Sequence, residues 1–125
     1  MLLNHLDLHV HDVQALAAFL VDLFDLERRT NDRSPAIAVL ADAAGFTLVV
    51  QRRTDAAPYP AGFHIGFIHA GAAAVRAHHA RLAAAGVATG PIDVNNRGTR
   101  FYLTAPGEIL VEVSSPERDA VDSTR

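Results

Sequence analysis

The sequence has no cysteine, which excludes a disulfide, a thiolate metal ligand and a thiol nucleophile. It has no surplus of positive charge: 11 Lys and Arg stand against 14 Asp and Glu, for a formal net charge of −3. That balance argues against a nucleic-acid partner, which would favour a basic surface. No apolar run approaches the length needed to cross a bilayer, so no membrane partner is expected. The opening MLLNHLDLHV lacks the basic region and long apolar stretch of a secretory signal, and the expected location is cytoplasmic. Nucleotide-binding loops, a serine nucleophile motif and zinc-knuckle spacing are also missing.

What is present is ordinary in bulk. The 125 residues suit one domain or two small fused modules. Hydrophobic residues make up 50% and charged residues 20%, as in a globular protein. The unusual feature is the 7 histidines, several of which fall in strand-like runs.

Residues 2–10 alternate as a strand, with Leu6, Leu8 and Val10 on one face and His5, Asp7 and His9 on the other. The same alternation argues against His5 and His9 as a helical metal pair. Asp12 reads as an N-cap. Behind it Val13, Leu16, Ala17, Leu20, Leu23 and Phe24 recur at helical spacing as far as Asp25. Three short strands are expected around 26–30, 36–41 and 45–51, separated by turns at Asn31-Asp32 and Ala43-Ala44-Gly45. The pattern then restarts. A strand is expected at 63–69 and an Ala-rich helix over 71–85, closed by Gly86. Strands follow near 87–93, 99–104 and 108–114. The domain plan is a first βαβββ module at 1–52, a linker at 53–61 containing Pro58 and Pro60, a second module at 62–115, and a polar tail at 116–125 expected to be disordered.

Aligned on their histidines, NHLDLHV and FHIGFIH match at an offset of 59, the spacing of His5 and His64. Leu16 then falls against Val75 and Leu23 against Leu82. An internal repeat of this kind implies duplication and a pseudo-twofold arrangement. Periodicity alone predicts an α+β class.

Three side chains carry the chemistry: His5, His64 and Glu112. Each sits on a strand-like run with an apolar opposite face. Two imidazoles and a carboxylate are the minimum set for a divalent metal with open coordination positions. A lone strand histidine is more often structural, so the argument is joint.

The layout resembles the vicinal oxygen chelate superfamily, which includes glyoxalase I, extradiol dioxygenases, fosfomycin-resistance enzymes and bleomycin-resistance proteins. The resemblance covers residues 2–114. LNHLDLHVHDVQALAAFLVDLFDLE is similar to the family's opening strand and helix, GFHIGFIHA to the strand that opens the second module, and FYLTAPGEILVEVSS to the closing hairpin. The hairpin reads Ala105-Pro106-Gly107-Glu108 where Asp-Pro-Asp-Gly is commoner. Aligning on Pro106 puts Glu112 at the ligand position; aligning on Gly107 puts Val111 there. Ile109, Val111 and Val113 share one apolar face, where a carboxylate would be costly, and this favours Glu112.

The resemblance implies two tandem βαβββ modules forming a curved mixed sheet around a metal cavity, paired within one chain or exchanged between two. It implies one divalent metal per site (Fe, Mn, Ni, Co or Zn) held by His5, His64 and Glu112. Gln51, at a strand end, is the only candidate for a fourth ligand. It implies a small oxygen-rich substrate chelated through two oxygens, in glyoxalase, dioxygenase or related lyase or isomerase chemistry, and a homodimer. Tyr102 and Arg100 share a strand face and would hold an anionic substrate oxygen, or else contribute edge packing and surface charge. Asp7 would act as a base or orient a ligand, or simply form a polar wall. Fosfomycin is a poor fit, because Asp7 stands where those enzymes carry a small hydroxyl residue and would repel a phosphonate. His9 is the only extra acid–base for a dioxygenase, and it is off the usual position. His78 and His79 are expected at the surface or its boundary, and His11 and His69 in solvent. The alternative is a metal-free drug-binding protein of the bleomycin-resistance type.

Overall fold

The computed structural model describes residues 1–118. Its contacts divide the chain into two compact units, Met1–Pro58 and a second from Tyr59 onward. The first holds β1 (His5–Val10), α1 (Val13–Phe24), β2 (Glu27–Arg28), β3 (Ile37–Ala41) and β4 (Thr47–Arg52). The second holds β5 (His64–Ile68), α2 (Ala72–Ala84), β6 (Asp93–Asn95), β7 (Gly98–Ala105) and β8 (Ile109–Ser115). The class is α+β with two tandem βαβββ modules, as expected.

In the first unit the sheet order is β1-β4-β3-β2, with β1 parallel to β4 and the other pairs antiparallel. Alternation buries Leu8, Val10, Ala38, Leu40 and Val50 on one face, and α1 covers that face with Val13, Leu16, Ala17 and Leu20. Asp12 caps the helix by accepting from Ala15 N at 3.1 Å. Asp25, at φ 58°, turns the chain out of it.

The second unit repeats the plan, with order β5-β8-β7-β6. Here α2 starts at Gly71, which offers no capping side chain; the Glu117 carboxylate accepts from Ala72 N at 3.0 Å instead. Val75, His78 and Leu82 face Phe101, Leu103, Val111 and Val113 in the core. Gly98 opens β7 at φ +116°, where a Cβ would lie 2.0 Å from Ser115 O, so only glycine lets β7 close on β8 in this register.

Several expectations need correction. The strand expected near 87–93 begins only at Asp93. Before it, Gly90 N donates to Tyr102 O at 2.8 Å and Thr89 makes a single bridge to Leu103. Pro91 has no N–H, so no ladder can run through it. The strand expected at 26–30 shrinks to Glu27–Arg28, and the one expected at 2–10 starts at His5. His78 is buried and His69 is not simply solvated: His69 Nε2 and His78 Nδ1 share a hydrogen bond at 3.0 Å. His79 lies at the boundary as expected, half-buried and edge-on to Phe101, with Nε2 3.0 Å from Gly90 O. These imidazoles tie α2 to its sheet. Of the tail, residues 119–125 lie outside the described residues, while Glu117 is held by Thr99 Oγ1, which donates to its carbonyl at 2.9 Å.

Candidate functional site

The second unit groups Arg100, Tyr102, Glu112 and His64 on the sheet face opposite α2. The β7–β8 hairpin turns through Pro106–Glu108, with positive φ at Gly107 and Glu108. The resulting register sets Tyr102 opposite Glu112 and Arg100 opposite Ser114. On the other side, parallel β5 sets Gly66 beside Glu112 and His64 beside Leu110. Val111 and Val113 are fully buried, so Glu112 is the residue turned to the open face. Gly66 leaves room next to it: a Cβ there would meet nothing within 4 Å.

Glu112 is the hub. Its Oε2 accepts from the Tyr102 hydroxyl and lies 3.8 Å from His64 Nε2. Its Oε1 accepts from Arg100 Nη1 at 3.4 Å. Arg100 is only 9% exposed, and its Nη2 donates to Arg97 O at 3.2 Å. The Tyr102 ring meets His64 edge-on at 5.8 Å. Burial works to raise the Glu112 pKa, but the Tyr102 hydrogen bond and the charges of Arg100 and His64 outweigh it and hold the carboxyl below its usual range. The same bond, donated to a carboxylate, pushes the Tyr102 phenol above its ordinary value.

In the first unit the open face carries His5, Asp7 and His9 on β1. Asp7 Oδ2 accepts from Gln51 Nε2 at 2.7 Å, and its Oδ1 lies 3.3 Å from His9 Nε2. Register bears on the fourth-ligand question. Asp7 pairs with Val49 as Gly66 pairs with Glu112, so the first-module counterpart of Glu112 is Val49, not Gln51. Gln51 sits two residues further along, beside His9.

Among the described residues no three His, Asp or Glu side chains gather as a metal-holding cluster. His64 and Glu112 form a pair in the second unit; His5 stands with Asp7 and His9 in the first. The donors nevertheless suit a metal. His64 Nδ1 donates to Gly62 O at 2.8 Å, and His5 Nδ1 donates to Asn4 Oδ1 at 2.8 Å. Each bond leaves the Nε2 lone pair available, which is how metal-binding imidazoles are oriented. The 3.8 Å between His64 Nε2 and Glu112 Oε2 exceeds a hydrogen bond, yet one ion at about 2.0–2.2 Å from each could touch both.

A family model, described as Glyoxalase/Bleomycin resistance protein/Dioxygenase superfamily, matches residues 2–113. The chain belongs to that superfamily. A solved structure of a possible glyoxalase from Bacillus cereus is 33% identical over 91% of this chain and 98% of that one, with a TM-score of 0.81. A lactoylglutathione lyase from Agrobacterium tumefaciens is 21% identical over 91% and 92% of the two chains, with a TM-score of 0.75. The fosfomycin resistance protein FosX from Listeria monocytogenes is 22% identical over 92% and 93%, with a TM-score of 0.76. These last two share the fold. No curated protein matches the chain. No helix among the described residues is long and apolar enough to cross a membrane.

The resemblance and the strand face it shares with Arg100 pointed to Tyr102, whose hydroxyl donates to Glu112. Sequence reasoning missed the burial of Arg100. Its one available signal was Arg100's place on the same face as Tyr102, two residues away on an interior strand.

Proposed function

We propose that this chain is a divalent-metal-dependent enzyme, working as a cytoplasmic homodimer on a small oxygen-rich molecule. His64 and Glu112 of the second module and His5 of a first module, from the same chain or a second copy, are the metal ligands. When bound, the metal (Fe, Mn, Ni, Co or Zn) would act as a Lewis acid toward two adjacent substrate oxygens. Around it the chain's own groups position the substrate. The Tyr102 hydroxyl is placed to donate to a substrate oxygen once Glu112 turns to the metal. Arg100 supplies positive charge beneath that point. Asp7, paired with Gln51 and His9, is the nearest carboxylate on the His5 strand and is assigned as base or orienting group.

The single observation that supports this reading most is the Glu112 carboxylate. It lies on the open face, held below the usual carboxylate pKa range, with its Oε2 toward His64 Nε2. A carboxylate and an imidazole nitrogen turned toward each other across 3.8 Å, too far for a hydrogen bond, support a ligand pair over a structural contact. The second reading, a metal-free drug-binding protein, draws on Asp7, whose half-exposed carboxylate would attract a basic drug. Metal analysis of protein purified without chelator separates the two. About one divalent ion per site supports the enzyme. No bound ion, with no uptake when Mn²⁺, Fe²⁺ or Zn²⁺ is added, overturns it in favour of the binder. Light scattering tests the homodimer: a monomer at micromolar concentration would overturn that part.

A further inference from the structure

The second module buries a titratable group in the middle of its helix–sheet contact, and the first does not. The face that α1 turns to its sheet is Val13, Leu16, Ala17, Leu20 and Phe24, all apolar. The buried face of α2 is Ala72, Val75, His78 and Leu82. His78 is only 8% exposed and stands edge-on to Phe101 at 6.4 Å. Its Nδ1 meets His69 Nε2 at 3.0 Å, with the two rings edge-on at 5.2 Å. His69 follows the last residue of β5, and its backbone N donates to Ser114 O at 2.8 Å. The bond therefore joins helix to sheet through two groups that both titrate. At the repeat offset their counterparts in the first module are Val10 and Phe19, which do not.

A bond between two imidazoles needs one N–H and one lone pair. One extra proton on the pair keeps the bond and makes it charge-assisted. A second fills the remaining lone pair, so two N–H groups and two like charges face each other across 3.0 Å. Burial of that charge is costly here, because Phe101, Leu103, Val111 and Val113, which β7 and β8 set against the helix, are apolar. The other titratable or charged groups around the pair are Arg76, His79 and Arg81 on α2 itself and Glu117, whose carboxylate accepts from Ala72 N at the helix start. His79 holds the same helix by a different kind of bond. Its Nε2 lies 3.0 Å from Gly90 O, which only accepts, so that nitrogen donates whether the ring is neutral or charged.

We propose that the His69–His78 pair is a proton-operated latch: it clamps α2 to the end of β5 while the two rings share at most one extra proton, and releases the helix when both are charged. The released state binds one proton more than the clamped one, so acid favours release. Loss of the clamp begins where free histidine takes up protons, below about pH 6.5. The latch lies wholly within the second unit, on the helix side of its sheet and away from Glu112. The first module, whose helix face holds nothing that titrates, keeps α1 in place over the same range.

Hydrogen exchange of the full-length protein, followed residue by residue from about pH 7 to about pH 5 and corrected for intrinsic rates, reads the latch. Protection of the α2 amides around His78 should fall about tenfold per pH unit over the lower half of that range, the slope for uptake of one proton, while α1 stays level. Nitrogen NMR of the imidazoles should show His69 and His78 both charged only where that protection is lost. His69→Gln should jam the latch closed. Its amide donates to His78 Nδ1 when that ring is neutral, accepts from it when it is charged, and takes up no proton itself. Protection of α2 in this variant should change by less than about twofold over the same range. His78→Gln makes the same test from the helix side, should the first variant fail to fold. His79→Gln keeps a donor to Gly90 O and should respond to acid as the unsubstituted protein does. Protection of α2 that stays level down to about pH 5, or that falls as far in His69→Gln as in the unsubstituted protein, overturns the proposal.

Discussion

The two modules share one plan and carry different polar groups on it. His5 and His64 open equivalent strands, and α1 and α2 begin at Val13 and Ala72 with the same offset as the histidines. Across the paired strands the match fails where it matters. The second module sets Tyr102 and Glu112 side by side, where the first sets Val39 and Val49. Arg100 opposite Ser114 answers to Ile37 opposite Gln51. The first module's carboxylate, Asp7, sits on the histidine strand, and in the second that place is Gly66. The two modules therefore share a backbone register, while the phenol, the guanidinium and a carboxylate across from the phenol stand only in the second. On its open face the first module carries His5 and the Asp7–Gln51–His9 group instead.

The largest expected effect tests this division. Glu112→Gln should remove most bound metal, because a neutral amide is a poorer ligand than a carboxylate. Asp7→Asn, at the first module's carboxylate, should leave occupancy near that of the unsubstituted protein. Metal analysis of the two side by side decides it; equal losses would mean that the modules contribute alike. Next in size is Tyr102→Phe. It should keep the metal but cost about 1.5–3 kcal/mol in binding an oxygen-rich ligand, the value of a hydrogen bond to a charged oxygen. Ligand titration against metal content checks that separation. If Phe also strips the metal, the phenol belongs to the metal's support and not to the substrate.

The helix starts offer a smaller contrast. In the first module Asp12 caps α1 from the residue just before it; in the second, Glu117 reaches α2 from beyond the last strand. Asp12→Ala and Glu117→Ala should each cost about 1 kcal/mol in denaturant unfolding. The Glu117 change should also loosen residues after Ser115, which hydrogen exchange would register. Equal exchange in both variants would mean that Glu117 is only a cap.

Much of the fold was legible because both modules obey local rules. Alternation in LDLHV and in ILVEVSS assigned the strand faces, and the latter was enough to turn Glu112 outward and Val111 inward. The histidine offset exposed the repeat. What was not legible depended on pairing. The β1–β4 register, not legible in the sequence, puts Val49 and not Gln51 at Glu112's counterpart. Arg100 looked like a cavity residue because alternation reports a face, not depth; its burial comes from lying between β6 and β8. The His69–His78 bond joins a strand end to a helix, and no spacing rule encodes it. Pro91 could have warned that the strand near 87–93 would be interrupted.

The smallest effect is spectroscopic and isolates the second module's hub. The sequence has 2 tyrosines and no tryptophan, so tyrosinate absorbance is easily resolved. In a Tyr59→Phe background only Tyr102 remains. Its hydroxyl donates to an ionised Glu112, and losing the proton would set a phenolate against a carboxylate, so the phenol titrates above its ordinary 10.0. Glu112→Gln removes that charge and should move the titration down toward the ordinary value. The sign for stability follows. The Tyr102 contribution is present below pH 10.0 and is lost as pH rises through the raised value. Glu112, held low, contributes above its ordinary 4.5 and loses that as pH falls through the lowered value. Adding a divalent metal should give a second signature in the Tyr59→Phe protein. If the ion takes Glu112 Oε2, the phenol loses its acceptor and gains a cation nearby, and its titration must shift down as it does in Glu112→Gln. A Tyr102 titration unmoved by both changes would break the link between phenol and carboxylate on which the second module's role depends.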